Sequence, residues 1–248
     1  MFVIHAASTN KDYNPARMAS SSHETQPTNP FVLRIHATEN LRPYLPIIER
    51  TSRGAIVRTA TVLSLTDFSV DIFDEPKGAI PEYGIGGFAD IAYIHERIVM
   101  SAAIYLDPFS PHREKAMRER LERAIAHELD HLKRMQYFWK PSTLLDAVAF
   151  EGLAEHFEIE MTGGEPSLEV TALSSLQVQE LLARAGNELT KEDFLQKWEA
   201  WYFGSEEEGI PRWTVYSLGF YVVGEYLKAH PDQKPSTLTA MPAEAFIS

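Results

Sequence analysis

One long helix is the feature that most constrains this chain. Ser110 followed by Pro111 reads as an N-cap and first-turn pair, opening a helical run that continues to about Phe138. The segments before it are β-rich and those after it are helical. FVLRIHA, from Phe31, reads as a short strand, and a helix comes next from Asn40 toward Arg50, interrupted by Pro43 and Pro46. Ala55 to Leu65 is apolar and β-branched and fits either state. FSVDIF, Phe68 to Phe73, alternates with period two, as a strand does. PEYGIGG marks a turn, after which FADIAYI and IVMSAAIYL read as paired strands around the polar tip His95, Glu96, Arg97. Beyond the long helix, Ser142 caps a second one that stops at Gly163 and Gly164. Further helices are expected near 175–186, near 191–203 (starting at Thr190, with Asp193 three residues on) and from about Pro211 to Ala229. A small mixed or antiparallel sheet succeeded by a run of helices is the α+β class.

Composition narrows the function classes. Hydrophobic residues make up 44% and charged residues 23% of the 248 positions, enough apolar material for a sizeable core. Residues 8 to 30 are the exception: rich in Ser, Thr, Asn and Pro, they read as a flexible N-terminal arm over 1–30. Residues 31–248 then form a single domain, β-rich over 31–109 and helical over 110–248. The formal net charge of −12 repels phosphate backbones, and no basic patch offsets it, so a nucleic-acid partner is not expected. No apolar run approaches the length of a membrane span, and MFVIHAAS lacks the features of a secretory signal, which leaves a cytoplasmic location as the expectation. There is no cysteine, so any zinc site must be built from imidazole and carboxylate.

Those ligand types occur at meaningful spacing. AIAHELDHLKR puts His127 and His131 four residues apart, on one helix face, about 5–6 Å apart at Cβ, where both imidazoles reach one ion. Glu128, between them in sequence, is placed beside the ligands as a base. A helix cannot wrap an ion with two histidines alone, so a third ligand must come from elsewhere. The next helix, LLDAVAFEGLAEHFE, carries Glu151 and Glu155 on one face amid Leu144, Val148, Phe150, Leu153 and Phe157. A turn near Lys140 and Pro141 brings Glu151 to the pair, completing a His2Glu site with one position left for water. Glu155, one turn on, is placed to accept the other N–H of a ligand histidine.

HELDH, with the Glu of FEGLAEH coming 19 residues later, resembles the gluzincin metallopeptidases. More narrowly, PEYGIGG, AIYLDP, HELDH, EGLAEH and PRWTVYSLGFYVVGEYL together resemble the YjaZ-like family of predicted zinc-dependent proteases, over roughly Phe68 to Leu227. Asp130 stands where most peptidase helices of this kind keep an uncharged residue. The resemblance implies a zincin-like domain, a Zn2+ cofactor and a peptide or protein substrate. It also suggests IVMSAAIYL as the edge strand that pairs with extended substrate, with an ordinary core strand as the equal alternative, and a Tyr or His as oxyanion donor. Tyr216 of YSLGF is the first choice for that donor, with Tyr221 and His156 as alternatives. The expected reaction is hydrolysis of a peptide bond by metal-activated water, with Glu128 moving the proton. The competing expectations are a catalytically silent regulatory or binding protein that keeps the metal site, and a purely structural metal.

Overall fold

A computed structural model of the chain describes residues 30–247, apart from residue 193 and the side chains of Asn187 and Leu195. All but Pro30 of the arm expected over 1–30 lies outside the described residues. The chain divides into two compact units, one ending at Glu128 and one beginning at Leu129. The architecture is α+β, with a four-stranded mixed sheet and a run of helices.

The first unit contains the sheet. Strand β1 (Phe31–His36) precedes helix α1 (Leu45–Leu63) and strand β2 (Phe68–Asp74), which pairs parallel to β1 with Phe31 opposite Phe68. Pro43 and Pro46 do not interrupt a helix here. Pro43 sits in a short 3-10 turn and Pro46 in the first turn of α1, where a missing N–H has no helical partner to lose. The ambiguous stretch from Ala55 is the continuation of α1: Ile48, Ser52, Ala55, Ile56, Thr59 and Leu63 recur at helical spacing and are buried.

Strands β3 (Ile85–Ile94) and β4 (Arg97–Leu106) form the hairpin expected from the alternation. Its turn is two residues, His95 and Glu96, at φ 46° and 62°. Left-handed backbone at both positions gives the twist that a two-residue hairpin needs, and Arg97 is the first residue of β4 rather than part of the tip. The strand order is β1-β2-β4-β3. Of the two expectations for IVMSAAIYL, edge strand and core strand, the second holds and the first is corrected: β4 is paired on both sides, parallel to β2 and antiparallel to β3. The tight hairpin commits one side of β4 to β3 and leaves β3 at the edge.

One sheet face is core, built by Phe68, Val70 and Ile72 of β2, Met100, Ala102, Ile104 and Leu106 of β4, and Ile85, Ala89 and Ile91 of β3, all buried. On the opposite face Arg34 makes two hydrogen bonds to Asp71, each 2.6 Å, and His36 adds a third at 2.8 Å. The His36, Phe73 and Tyr105 rings stack in a row beside them.

The long helical run starts later than Ser110. The Ser110 hydroxyl accepts from the His112 N–H, and helix begins with one turn, α2 (Arg113–Lys115). A π-helical segment (Ala116–Arg120) leads into α3 (Leu121–Phe138). The unit boundary falls inside α3.

The second unit is helical: α4 (Leu144–Thr162), α5 (Ser175–Ala185), α6 (Phe194–Phe203) and α7 (Thr214–Ala229). The N-cap of α4 is Thr143, one residue past the expected Ser142. Thr143 and Asp146 close a capping box, and Ser142 donates to the same Asp146 carboxylate. Gly163 ends the helix at φ 67°. Helix α6 starts at Phe194, because Thr190 closes a 3-10 turn instead of opening the helix; the Asp193 half of that expected cap is outside the described residues. Leu145, Val148, Ala149, Leu153, Leu181, Trp201, Leu218 and Val223 belong to one apolar core. Among the described residues no helix is long and apolar enough to cross a membrane.

Candidate metal centre

Helix α3 presents His127 and His131 one turn apart, because the helical period of 3.6 residues nearly returns to the same face after four. Leu129 and Leu132 are fully buried and fix the rotation of the helix in the second unit. Within that unit, His131 Nε2 lies 3.5 Å from Glu151 Oε2. With His127 included, the group offers one ligand atom each from His127, His131 and Glu151, all within 4.8 Å of one another. Zinc bonds imidazole nitrogen and carboxylate oxygen at about 2.0–2.2 Å, so two ligands at a tetrahedral angle stand roughly 3.3–3.6 Å apart. The His131–Glu151 separation fits that range. Two imidazoles and a carboxylate are also a donor set that divalent zinc accepts. These three residues can hold a metal ion.

Glu151 is 6% exposed, and a carboxylate at that depth requires a defined setting. The setting comes from the crossing of α4 and α7. A Cβ on Gly219 would lie 2.6 Å from the backbone nitrogen of Gly152 and 2.9 Å from its Cα, so only glycine permits the two backbones to meet there. Gly152 comes directly after Glu151. This close approach of the two helices is thus one residue from the carboxylate. From α6, the Tyr202 hydroxyl donates to Glu151 Oε1 at 2.8 Å. On the α3 side, the Phe150 ring tilts against the His131 imidazole with centroids 5.7 Å apart.

Glu128 is also buried, against β3 of its own unit. A Cβ on Gly87 would lie 2.7 Å from Glu128 Cγ and 2.8 Å from Cδ, so the missing side chain of Gly87 is the space the glutamate occupies. The charge of Glu128 is felt nearby: burial foremost, then the negative charges of Glu128 and Glu75, push the Tyr105 phenol above its ordinary pKa.

Glu155 accepts the Ser167 hydroxyl at both carboxylate oxygens, 3.1 and 3.0 Å. It also belongs to a second group, His127, Glu155 and Glu158, whose ligand atoms likewise lie within 4.8 Å. Glu158 is absent from the sequence-derived candidates. It stands at i+7 from Glu151, on the same stripe as Glu155, and that spacing is the one signal that points to it. Tyr202 carries no local signal at all.

The donor candidates are placed unevenly. Tyr216, on α7, packs edge-on against Tyr202 at 5.4 Å. The Tyr221 hydroxyl accepts from Gln179, and His156 stacks on Phe220 at 4.2 Å with Nε2 bonded to the Phe220 carbonyl. Burial, partly offset by that bond, lowers the His156 pKa. Asp130, the unusual charge within HELDH, is fully buried in the second unit, as is Arg134. Desolvation lowers the Arg134 pKa to about 10, and the charges of Asp130, Asp146 and Glu244 oppose it. Arg134 in turn donates to the carbonyls of Thr239 and Met241, holding the C-terminal segment.

A family model described as "Predicted Zn-dependent protease (DUF2268)" matches residues 103–248, a stretch that contains His127, Glu128, His131, Glu151, Tyr202 and Tyr216. The match begins inside β4, so the other three strands precede it. No curated protein matches the chain, and no solved structure does.

Proposed function

Because this chain belongs to the family of predicted Zn-dependent proteases, we propose that it is a zincin-like metallopeptidase of the gluzincin kind, with His127, His131 and Glu151 as zinc ligands. The observation that carries this reading is the convergence of two imidazoles and one buried carboxylate within 4.8 Å. Three protein ligands are the number a catalytic site uses, whereas a structural site fills all four positions. In this reading residues 31–248 act as one domain, with 1–30 as an arm outside it. When bound there, zinc supplies Lewis-acid polarisation of the scissile carbonyl and lowers the pKa of a water toward about 7.

The chain's own residues do the rest. Glu128 accepts the proton of the attacking water and passes it to the leaving amine, a proton transfer worth about 10²–10⁴-fold. The space at Gly87 lets the Glu128 side chain lie against the sheet. Glu155 and Glu158 each have a carboxylate oxygen within 4.8 Å of a His127 ring nitrogen; the second ring nitrogen donates once the first is a ligand, and a carboxylate accepting there would fix the tautomer. Tyr216 is the donor for the oxyanion, held by its packing on Tyr202. The substrate is a peptide or protein segment in extended form. Edge strand β3 takes the role expected of β4, offering backbone groups to that segment on the strand that also carries Gly87.

Metal analysis paired with peptide-library cleavage tests this. Glu128→Gln should keep zinc and lose at least 10²-fold in kcat/KM, and Glu151→Ala should lose the metal. Full zinc content in Glu151→Ala contradicts the ligand assignment. A zinc-loaded wild type inert toward every peptide would instead mark a silent protein that retains the site.

A further inference from the structure

Tyr202 belongs to no motif, yet its hydroxyl touches a candidate zinc ligand. It is the penultimate residue of α6, and Gly204 lies just beyond the helix at φ 88°. Its carbonyl accepts the Trp213 N–H at 2.9 Å, which ties the end of α6 to the start of α7. Its ring is surrounded by Trp198 at 6.0 Å, Phe203 at 6.4 Å and Tyr216 at 5.4 Å, at interplanar angles of 68°, 45° and 89°. These ring contacts restrict χ1 and χ2, so the helix and its aromatic neighbours aim the hydroxyl at Glu151 together with the hydrogen bond.

That direction divides the Glu151 carboxylate. Oε1 accepts from Tyr202 at 2.8 Å, and Oε2 is the oxygen 3.5 Å from His131 Nε2. We infer that Tyr202 is a positioning residue that engages Oε1 and presents Oε2 alone to the metal, making Glu151 a single-oxygen ligand. This rests on the reading of the cluster as a zinc site. A carboxylate can bind through one oxygen or chelate through two. A chelating Glu151 would take a coordination position that a catalytic zinc keeps open. Partners that hydrogen-bond ligands typically contribute about 10–100-fold to metal affinity, and the phenol–carboxylate bond is of the strong, charge-assisted type.

The experiment compares wild type, Tyr202→Phe, Tyr226→Phe and Glu151→Ala by zinc titration against a competing chelator and by the visible spectrum of the cobalt-loaded proteins. Tyr202→Phe keeps the ring and removes the hydroxyl. It should bind zinc about 10–100-fold more weakly, and its cobalt bands should weaken and shift as the carboxylate rotates to chelate and coordination rises above four. Tyr226→Phe removes a hydroxyl from a ring that packs on His230 and Phe246 and not on Glu151, so its affinity and spectrum should match wild type. X-ray absorption of zinc-loaded wild type needs no variant and should show one carboxylate oxygen bound. Unchanged affinity and spectrum in Tyr202→Phe, an equal loss in Tyr226→Phe, or two bound carboxylate oxygens in wild type would each overturn the inference. Retention of full affinity in Glu151→Ala sinks the underlying ligand assignment instead, so the two failures are separable.

Discussion

Alanine at position 87 separates the proposed base from the proposed ligands. The added Cβ would sit 2.7 Å from Cγ and 2.8 Å from Cδ of Glu128. Carbon–carbon contacts settle at about 3.5–4.0 Å, so the overlap is about 0.7–1.3 Å. Gly87 is fixed by the β3–β4 ladder, opposite Ile104, so the movement falls on the Glu128 side chain. Displacing a reacting group by about 1 Å can reduce the rate by about 10²-fold. Overpacking of this size destabilises by roughly 1–3 kcal/mol, less than the usual stability of a domain, so the variant should remain folded. The assay is kcat/KM on a peptide found by library screening, with zinc content measured on the same samples. Gly87→Ala should lose about two orders of magnitude in kcat/KM at wild-type zinc occupancy. Wild-type activity would refute the idea that Gly87 makes room for the base. Zinc loss in proportion to activity would show that the disturbance reaches the ligands and not Glu128.

The helix crossing and the sheet network give two more expectations. Gly219→Ala improves intrinsic helix propensity by about 1 kcal/mol, yet its Cβ meets backbone atoms of Gly152 at 2.6 and 2.9 Å that no rotamer change can move. The net effect should be a loss of about 1–3 kcal/mol, read as a melting temperature lower by several degrees; a rise would show that the two helices separate freely. Burial alone would raise the Asp71 pKa, but the hydrogen bonds from Arg34 and His36 outweigh it and hold the carboxyl below its ordinary 3.8. A lowered folded-state value means stability that is complete above about pH 5 and is lost as the pH falls through 3.8 and below. With Arg34 half exposed, the contribution is on the order of 1 kcal/mol. Denaturant titrations at pH 7 and pH 3 should show this increment vanishing in wild type and absent at both pH values in Asp71→Asn.

Much of the candidate site is legible in the sequence because it is written in helical periods. His127 and His131 are neighbours by the geometry of any α-helix, and Glu151 and Glu155 share a stripe for the same reason. Glu158 escapes notice because a glutamate in a chain of net charge −12 reads as surface, and only packing reveals it as 5% exposed. Tyr202 is illegible for a different reason: its partner lies 51 residues away, and no local pattern encodes that contact. The sheet divides in the same way. Alternation locates the strands, and the hairpin comes from proximity in sequence. The order β1-β2-β4-β3 depends on parallel pairings between distant segments, and β4 looks the same in sequence at an edge or in the interior. Proline misleads at α1, where Pro46 starts a helix instead of breaking one.

Helix α4 carries Glu151, Glu155 and Glu158 within two turns, each nearly shut off from solvent. Negative charges crowded together in a poorly polarisable interior repel one another far more than they would in water. A doubly positive ion is the natural remedy for that repulsion. In the proposed site the acidic stripe would do more than grip a cation: it would tie the integrity of the helical half to having one, since binding that favours the folded chain adds directly to its stability. Such a protein would be sturdiest when armed for reaction and frailest when emptied.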